Sequence, residues 1–195
     1  MTKSRLEAFS DGVLAIIITI MVLALRPPHG DTMRDLLPLL PKFSAYLLSF
    51  IMVGIYWGNH HHLLHTVHRV NTGIIWANLH LLFWLSLIPF VTAWSGEQPF
   101  KQDVMILYAI VLLLSGVAYY ILIQVISRTQ QHSVALAAAI KGQSRKGMIS
   151  LFAYLAAVLA AFWEPKVTGA LFLLVALMWM IPDRNIERAI RDEHQ

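Results

Sequence analysis

The chain has 195 residues, 57% of them hydrophobic and only 13% charged, with a mean hydropathy of +0.62. Soluble domains run about half apolar and a quarter charged, so this composition excludes an ordinary soluble domain and points to the bilayer. The net charge of +4 does not mark a nucleic-acid binder, because the basic residues gather between apolar runs, and with no cysteine there is no disulfide or thiolate metal site.

A helix needs about 20 residues to cross the bilayer core. Six runs serve, at Phe9–Leu25, Ala45–Leu64, Gly73–Trp94, Val104–Ile126, Met148–Trp163 and Val167–Ile181. Lys3 and Arg5 ahead of the first run resemble a secretory signal, but no small-x-small cleavage site follows, so the run is expected to stay as the first span. Its opening, "RLEAFSDG", puts Ser10 and Asp11 at the mouth of an apolar helix. Two readings stand: an N-cap for the free amides of a helix start, or a polar knot pinning this helix to its neighbours. Beyond it Ile16, Thr19, Ile20 and Leu23 lie on an all-round apolar helix, and the pattern does not pick out one face.

The first outer loop, "RPPHGDTMRDLLPLLPK", is expected to hold a short interfacial helix at Asp31–Leu37. The second run ends in "YWGNHHHLLHTVHRV", where His60, His61, His62, His65 and His68 crowd together. His61 and His65 have the i, i+4 spacing of metal ligands, but no Glu or Cys accompanies them as a zinc protease requires. The cluster reads as a polar helix end at the membrane surface, or as the working part of a proton-coupled or metal-ion transporter. His60 lies nearest the apolar run and is the best placed to meet Asp11, and Trp57 suits an interfacial anchor. In the third run Asn78 and His80 read as buried groups for interhelical bonding, and Pro89 is expected to kink the helix. The longest connection, the basic stretch Ser127–Gly147, reads as a short cytoplasmic helix with flexible ends, "EPK" around Pro165 makes a tight helical hairpin, and the tail "PDRNIERAIRDEHQ" reads as an exposed helix.

Lys and Arg fall ten to one side and five to the other, the five being Arg26, Arg34, Lys42, Lys101 and Lys166. Both termini are therefore expected in the cytoplasm. The whole is a single all-α domain of six transmembrane helices over residues 1–195. It shows no catalytic constellation, so an enzyme is not expected. It also lacks a TVGYG-type filter and an arginine ladder, and spans two to six carry no central acid for a carrier.

The stretch "RLEAFSDGVLAIIITI" resembles the R-x-x-x-F-S-D signature of the transmembrane protein 175 family of endolysosomal potassium channels. Trp57 and His60 in "WGNH" resemble the family's Trp-x-x-His, and "NL" at Asn78 and "IPF" at Pro89 are similar to positions of its third helix. The chain resembles the single-repeat type found in prokaryotes. That resemblance implies a homotetramer in the plasma (inner) membrane of a prokaryote, its pore lined by the first helix of each subunit. It implies a cation channel permeable to K+, weakly to moderately selective for it, and passing other monovalent cations. Ile16 would form the constriction, with Thr19, Ile20 and Leu23 lining the next turns. Arg5, Phe9, Ser10 and Asp11 would bond with Trp57, His60 and Asn78 to hold the pore helices together. Membrane lipid is the only further partner implied; no cofactor, metal site or nucleic acid is. A channel without a carbonyl filter needs a hydrophobic constriction that wets and dewets, and one apolar helix cannot enclose a conduit without symmetric assembly.

Overall fold

The structure, a computed structural model, describes residues 2–129 and 134–180. Among them run seven α-helices: α1 (Lys3–Leu23), α2 (Leu40–His65), α3 (Thr72–Leu85), α4 (Ile88–Glu97), α5 (Gln102–Thr129), α6 (Val134–Ala160) and α7 (Pro165–Met180), with a 3-10 helix at Met33–Leu39 before α2. Four helical segments are long and apolar enough to cross a membrane: Lys3–Leu23, Met33–His65, Thr72–Glu97 and Gln102–Thr129. α7 is a shorter apolar helix.

Local chemistry explains the ends. Thr2 caps α1, its side-chain oxygen accepting from the Arg5 amide at 3.4 Å, and Asn71 caps α3 by accepting from the Ile74 amide at 2.9 Å. The 3-10 helix is held by a capping box in which Asp35 Oδ2 accepts from the Thr32 amide at 3.0 Å and its hydroxyl at 2.6 Å. It sits two residues later than the Asp31–Leu37 helix expected. The third span breaks between α3 and α4 at Ser86–Leu87. Pro89 is the second residue of α4 and has no amide to continue the ladder, so the break falls one turn upstream of the ring. The α6–α7 hairpin turns at Ala161–Glu164, and Pro165 opens α7, where its missing amide costs nothing. The helix expected within Ser127–Gly147 is not a separate short one: α6 begins at Val134 and runs on without a break through the basic stretch to Ala160. The C-terminal tail lies outside the described residues.

α5 is the spine, with Ala109, Leu112, Ser115, Ala118, Leu122 and Ile126 fully buried. It packs against α3, α4, α6 and α7. α1 lies at the margin, against α2, α3 and α4. Its buried residues, Leu6, Ser10, Leu14, Ile17 and Met21, recur every three or four positions and make one stripe. Lipid is as apolar as these side chains, so close contact and interhelical hydrogen bonds hold the helices rather than exclusion of water.

Candidate functional site: the outer stripe of α1 and its polar support

α1 begins at Lys3, so Ser10 and Asp11 are not at its mouth but two turns inside it. This overturns the N-cap reading, because an interior residue has no free helix-start amide to accept from. Ser10 turns its hydroxyl back on its own helix and donates to the Leu6 carbonyl at 2.9 Å. Asn78 of α3 then donates from Nδ2 to Ser10 Oγ at 2.9 Å, and its Oδ1 meets His60 Nε2 of α2 at 2.6 Å. An amide oxygen only accepts, so His60 carries its proton on Nε2 and donates it. The result is a one-way chain, His60 to Asn78 to Ser10 to Leu6, stitching α1, α2 and α3 together. Ser10 and Asn78 are 0% exposed and His60 1%. His60 therefore meets Asn78 and not Asp11, correcting the sequence expectation. Asp11 is engaged by Trp57, which donates from Nε1 to Oδ1 at 3.0 Å.

Arg5 and Phe9 stand apart from this chain. Six residues along a helix turn a side chain through roughly 240°, so Arg5 and Asp11 project about 120° apart and cannot pair within one helix. Phe9 is exposed, as is Arg5. Both lie away from the buried stripe, on the side where Gly12, Ile16, Thr19, Ile20 and Leu23 are also exposed. Ile16 is 59% exposed and Leu23 75%. Thr19 folds its hydroxyl onto the Ala15 carbonyl at 2.8 Å, which satisfies the donor and leaves lone pairs facing out. The four residues given pore roles thus share the outer side of α1, a division that hydropathy could not make because both sides are apolar.

Of the remaining histidines, His61 and His65 pack edge to face at 4.5 Å between ring centroids, and Trp57 stacks on His61 at 6.0 Å. Among the described residues no three His, Cys, Asp or Glu side chains are placed to hold a metal ion. His80, read from sequence as buried, is exposed and accepts from Trp84 Nε1 one turn on at 2.9 Å.

Three features escaped the sequence. Lys3 Nζ donates to the His65 carbonyl at 2.8 Å and approaches Glu7 Oε1 to 4.0 Å, tying the start of α1 to the end of α2. Thr92 of α4, which also lies against Met21 in the second half of α1, donates at 2.7 Å to Ser49 of α2, which is bonded to Tyr108 of α5. Asn59, Tyr119 and Gln143 join α2, α5 and α6, with Gln143 Nε2 donating to Tyr119 at 2.6 Å and to Asn59 at 3.1 Å. The amides Asn59 and Gln143 are costly in apolar helices and were a readable signal; the hydroxyls were not, since Ser and Thr back-bond within any helix.

A family profile described as "Endosomal/lysosomal potassium channel TMEM175" matches residues 5–89. A protein of Chryseobacterium sp. (strain P1-3) named as a potassium channel is 50% identical over 192 residues, covering 98% of this chain and 100% of that one. The human protein named "Endosomal/lysosomal proton channel TMEM175" is 31% identical over 114 residues, covering 51% of this chain and 23% of the human one. The crystal structure of a protein from Chamaesiphon minutus, titled a lysosomal potassium-selective channel TMEM175 homolog, superposes with a TM-score of 0.82 at 25% identity, covering 94% of this chain and 97% of that one.

Proposed function

From the premise that this chain belongs to the TMEM175 family of channels, we propose that it is a potassium channel in which four copies surround a pore lined by α1. The observation that carries this reading is the two-sided character of that helix. One side is buried against α2, α3 and α4, and the other is exposed. Lipid is a poor partner for the exposed side. Arg5, Gly12 and Thr19 fall on one line along it with Ile16 and Leu23, and a charged, a small and a hydroxylated residue are wasted against acyl chains. Facing a four-fold axis, the same line gives a basic cytoplasmic mouth, a dry ring at Ile16, hydroxyls at Thr19 and a flared apolar exit at Ile20 and Leu23. Ions meet no oxygen ligands at the ring, so passage depends on wetting, and discrimination among monovalent cations is weak to moderate.

The chain His60–Asn78–Ser10 and the Trp57–Asp11 bond hold α1 at its angle to α2 and α3. Arg5 and Phe9 serve contacts between subunits. Six membrane crossings, with α3 and α4 together making one and α6 and α7 one each, leave both termini in the cytoplasm of a prokaryote whose inner membrane holds the channel. Conduction uses no cofactor beyond the permeant ion.

Cysteine accessibility tests the pore line, and the native chain has no cysteine to interfere. Single replacements Thr19→Cys and Leu23→Cys should be blocked by a water-soluble thiol reagent during potassium flux in liposomes. Leu14→Cys and Ile17→Cys, on the buried stripe, should be indifferent. Block at Leu14 or Ile17 with none at Thr19 or Leu23 would put the pore elsewhere.

A further inference from the structure

We propose that each subunit holds a binding site, separate from the pore line, for a small neutral molecule bearing one hydroxyl and a short alkyl tail. The site is a cleft walled by Met52, Ile55 and Tyr56 of α2, Gly116 and Tyr119 of α5, Gly147 and Tyr154 of α6, and Trp179 of α7. The centre of a water-sized group has ≈ 30 Å³ in which to sit, and the empty space of the cleft, open solvent at its mouth included, is ≈ 410 Å³. About 10–15 Å³ of room of the first kind holds one water, so the cleft takes a hydroxyl with a carbon beside it, and its open side takes the rest of a short tail.

The polar groups around the cleft are nearly all spoken for. Asn59 donates to the Ile55 carbonyl at 2.8 Å and accepts from Gln143. Tyr119 donates to the Asn59 carbonyl at 3.2 Å, and Ser150 donates to the Lys146 carbonyl and accepts from Trp179 Nε1 at 2.8 Å. Tyr154 points its hydroxyl at Met52 Sδ, 3.8 Å away. Among the described residues the Tyr56 hydroxyl has no such partner. It lies 3.8 Å from where a Cβ on Gly116 would stand, at the wall of the cleft. A phenol both donates and accepts, so one alcohol hydroxyl completes it, and a charged guest finds no counter-charge among the lining residues.

Glycine makes the room. A Cβ at Gly116 would collide with Leu151 Cδ2 at 2.9 Å, whereas one at Gly147 meets nothing within 4 Å. Gly147→Ala therefore fits without strain, suits a helix interior better than glycine, and takes up cleft volume.

The test is diffraction from crystals of the intact channel soaked in a concentration series of 2-bromoethanol, with bromine located by anomalous scattering. The wild type should show a bromine peak in the cleft and the alcohol oxygen on Tyr56 Oη. Tyr56→Phe, which keeps the shape, should need roughly fivefold more alcohol for the same occupancy, the effect of one lost hydrogen bond. Gly147→Ala should melt no lower than wild type and lose the peak. Water alone at Tyr56 in the soaked wild type, an empty cleft, or a peak undiminished in Gly147→Ala would each overturn the proposal. None of these outcomes bears on the pore line, which thiol block tests independently.

Discussion

Asn78 is the hinge of the polar support, and replacing it with leucine removes both its bonds at similar volume. Two effects follow. The Nε2–H of buried His60, bonded at 2.6 Å to Asn78, loses its one acceptor among the described residues and stays buried. An unsatisfied buried donor costs about 1–3 kcal/mol. The second bond, from Asn78 to Ser10 at 2.9 Å, is a milder loss because Ser10 still donates to Leu6. Interhelical bonds of this kind average about 0.6 kcal/mol in membrane proteins. The sum is roughly 1.6–3.6 kcal/mol per subunit. His60→Leu alone removes the donor that would be stranded and leaves one amide oxygen bare. The double replacement His60→Leu with Asn78→Leu leaves neither, so it should cost clearly less than the two singles added. Denaturant titration of the four proteins in detergent, followed by circular dichroism and by gel filtration of the assembly, measures the cycle. Costs that add, or an Asn78→Leu channel as stable as wild type, would refute the idea that this chain of bonds fixes α1.

Trp57→Phe removes the Nε1–H bond to Asp11 and part of the ring face stacked on His61, at an exposed site, and should cost about 0.5–1.5 kcal/mol in the same titration with potassium flux retained. Gly96→Ala should destabilise the outer end of the bundle more than a helical glycine change normally does, because the new Cβ would sit 2.9 Å from the Lys42 Cα, a backbone atom that cannot rotate away; a lowered melting temperature checks it. Thr19→Val removes the hydroxyl beside the proposed ring and should lower potassium conductance modestly in single-channel recordings, with the assembly intact on gel filtration.

Much of this architecture is written in single residues. The proline at 165 and the run lengths told where helices turn, and the pairing of Ser10 with Asn78 was within reach because polar groups in apolar helices need each other. Partner choice within the knot was not: "NHHH" offers several histidines, and only the phase of α2 against α3 selects His60 for Asn78 and leaves Trp57 for Asp11. The start of α1 at Lys3 was obscured because Thr2, a weak-looking cap, outranks the more evident Ser10-Asp11 pair. The exposed side of α1 was invisible for a different reason. Burial distinguishes Ile17 from Ile16, and in a membrane both faces of the helix read as apolar. The "KGQSRKG" stretch looked by charge like the flexible end of a short helix, yet it continues α6 because nothing in it breaks a helix except glycine, which costs only about 1 kcal/mol.

The central claim is that the exposed line of α1 forms a dry constriction for potassium at Ile16. Reversal-potential and conductance measurements on Ile16→Asn beside wild type, in planar bilayers with potassium on one side and sodium on the other, test it most directly. Four amides in place of four isoleucines hydrate the ring, so conductance should rise and potassium and sodium permeabilities should converge. An intact assembly whose conductance and reversal potential both match wild type would contradict the account.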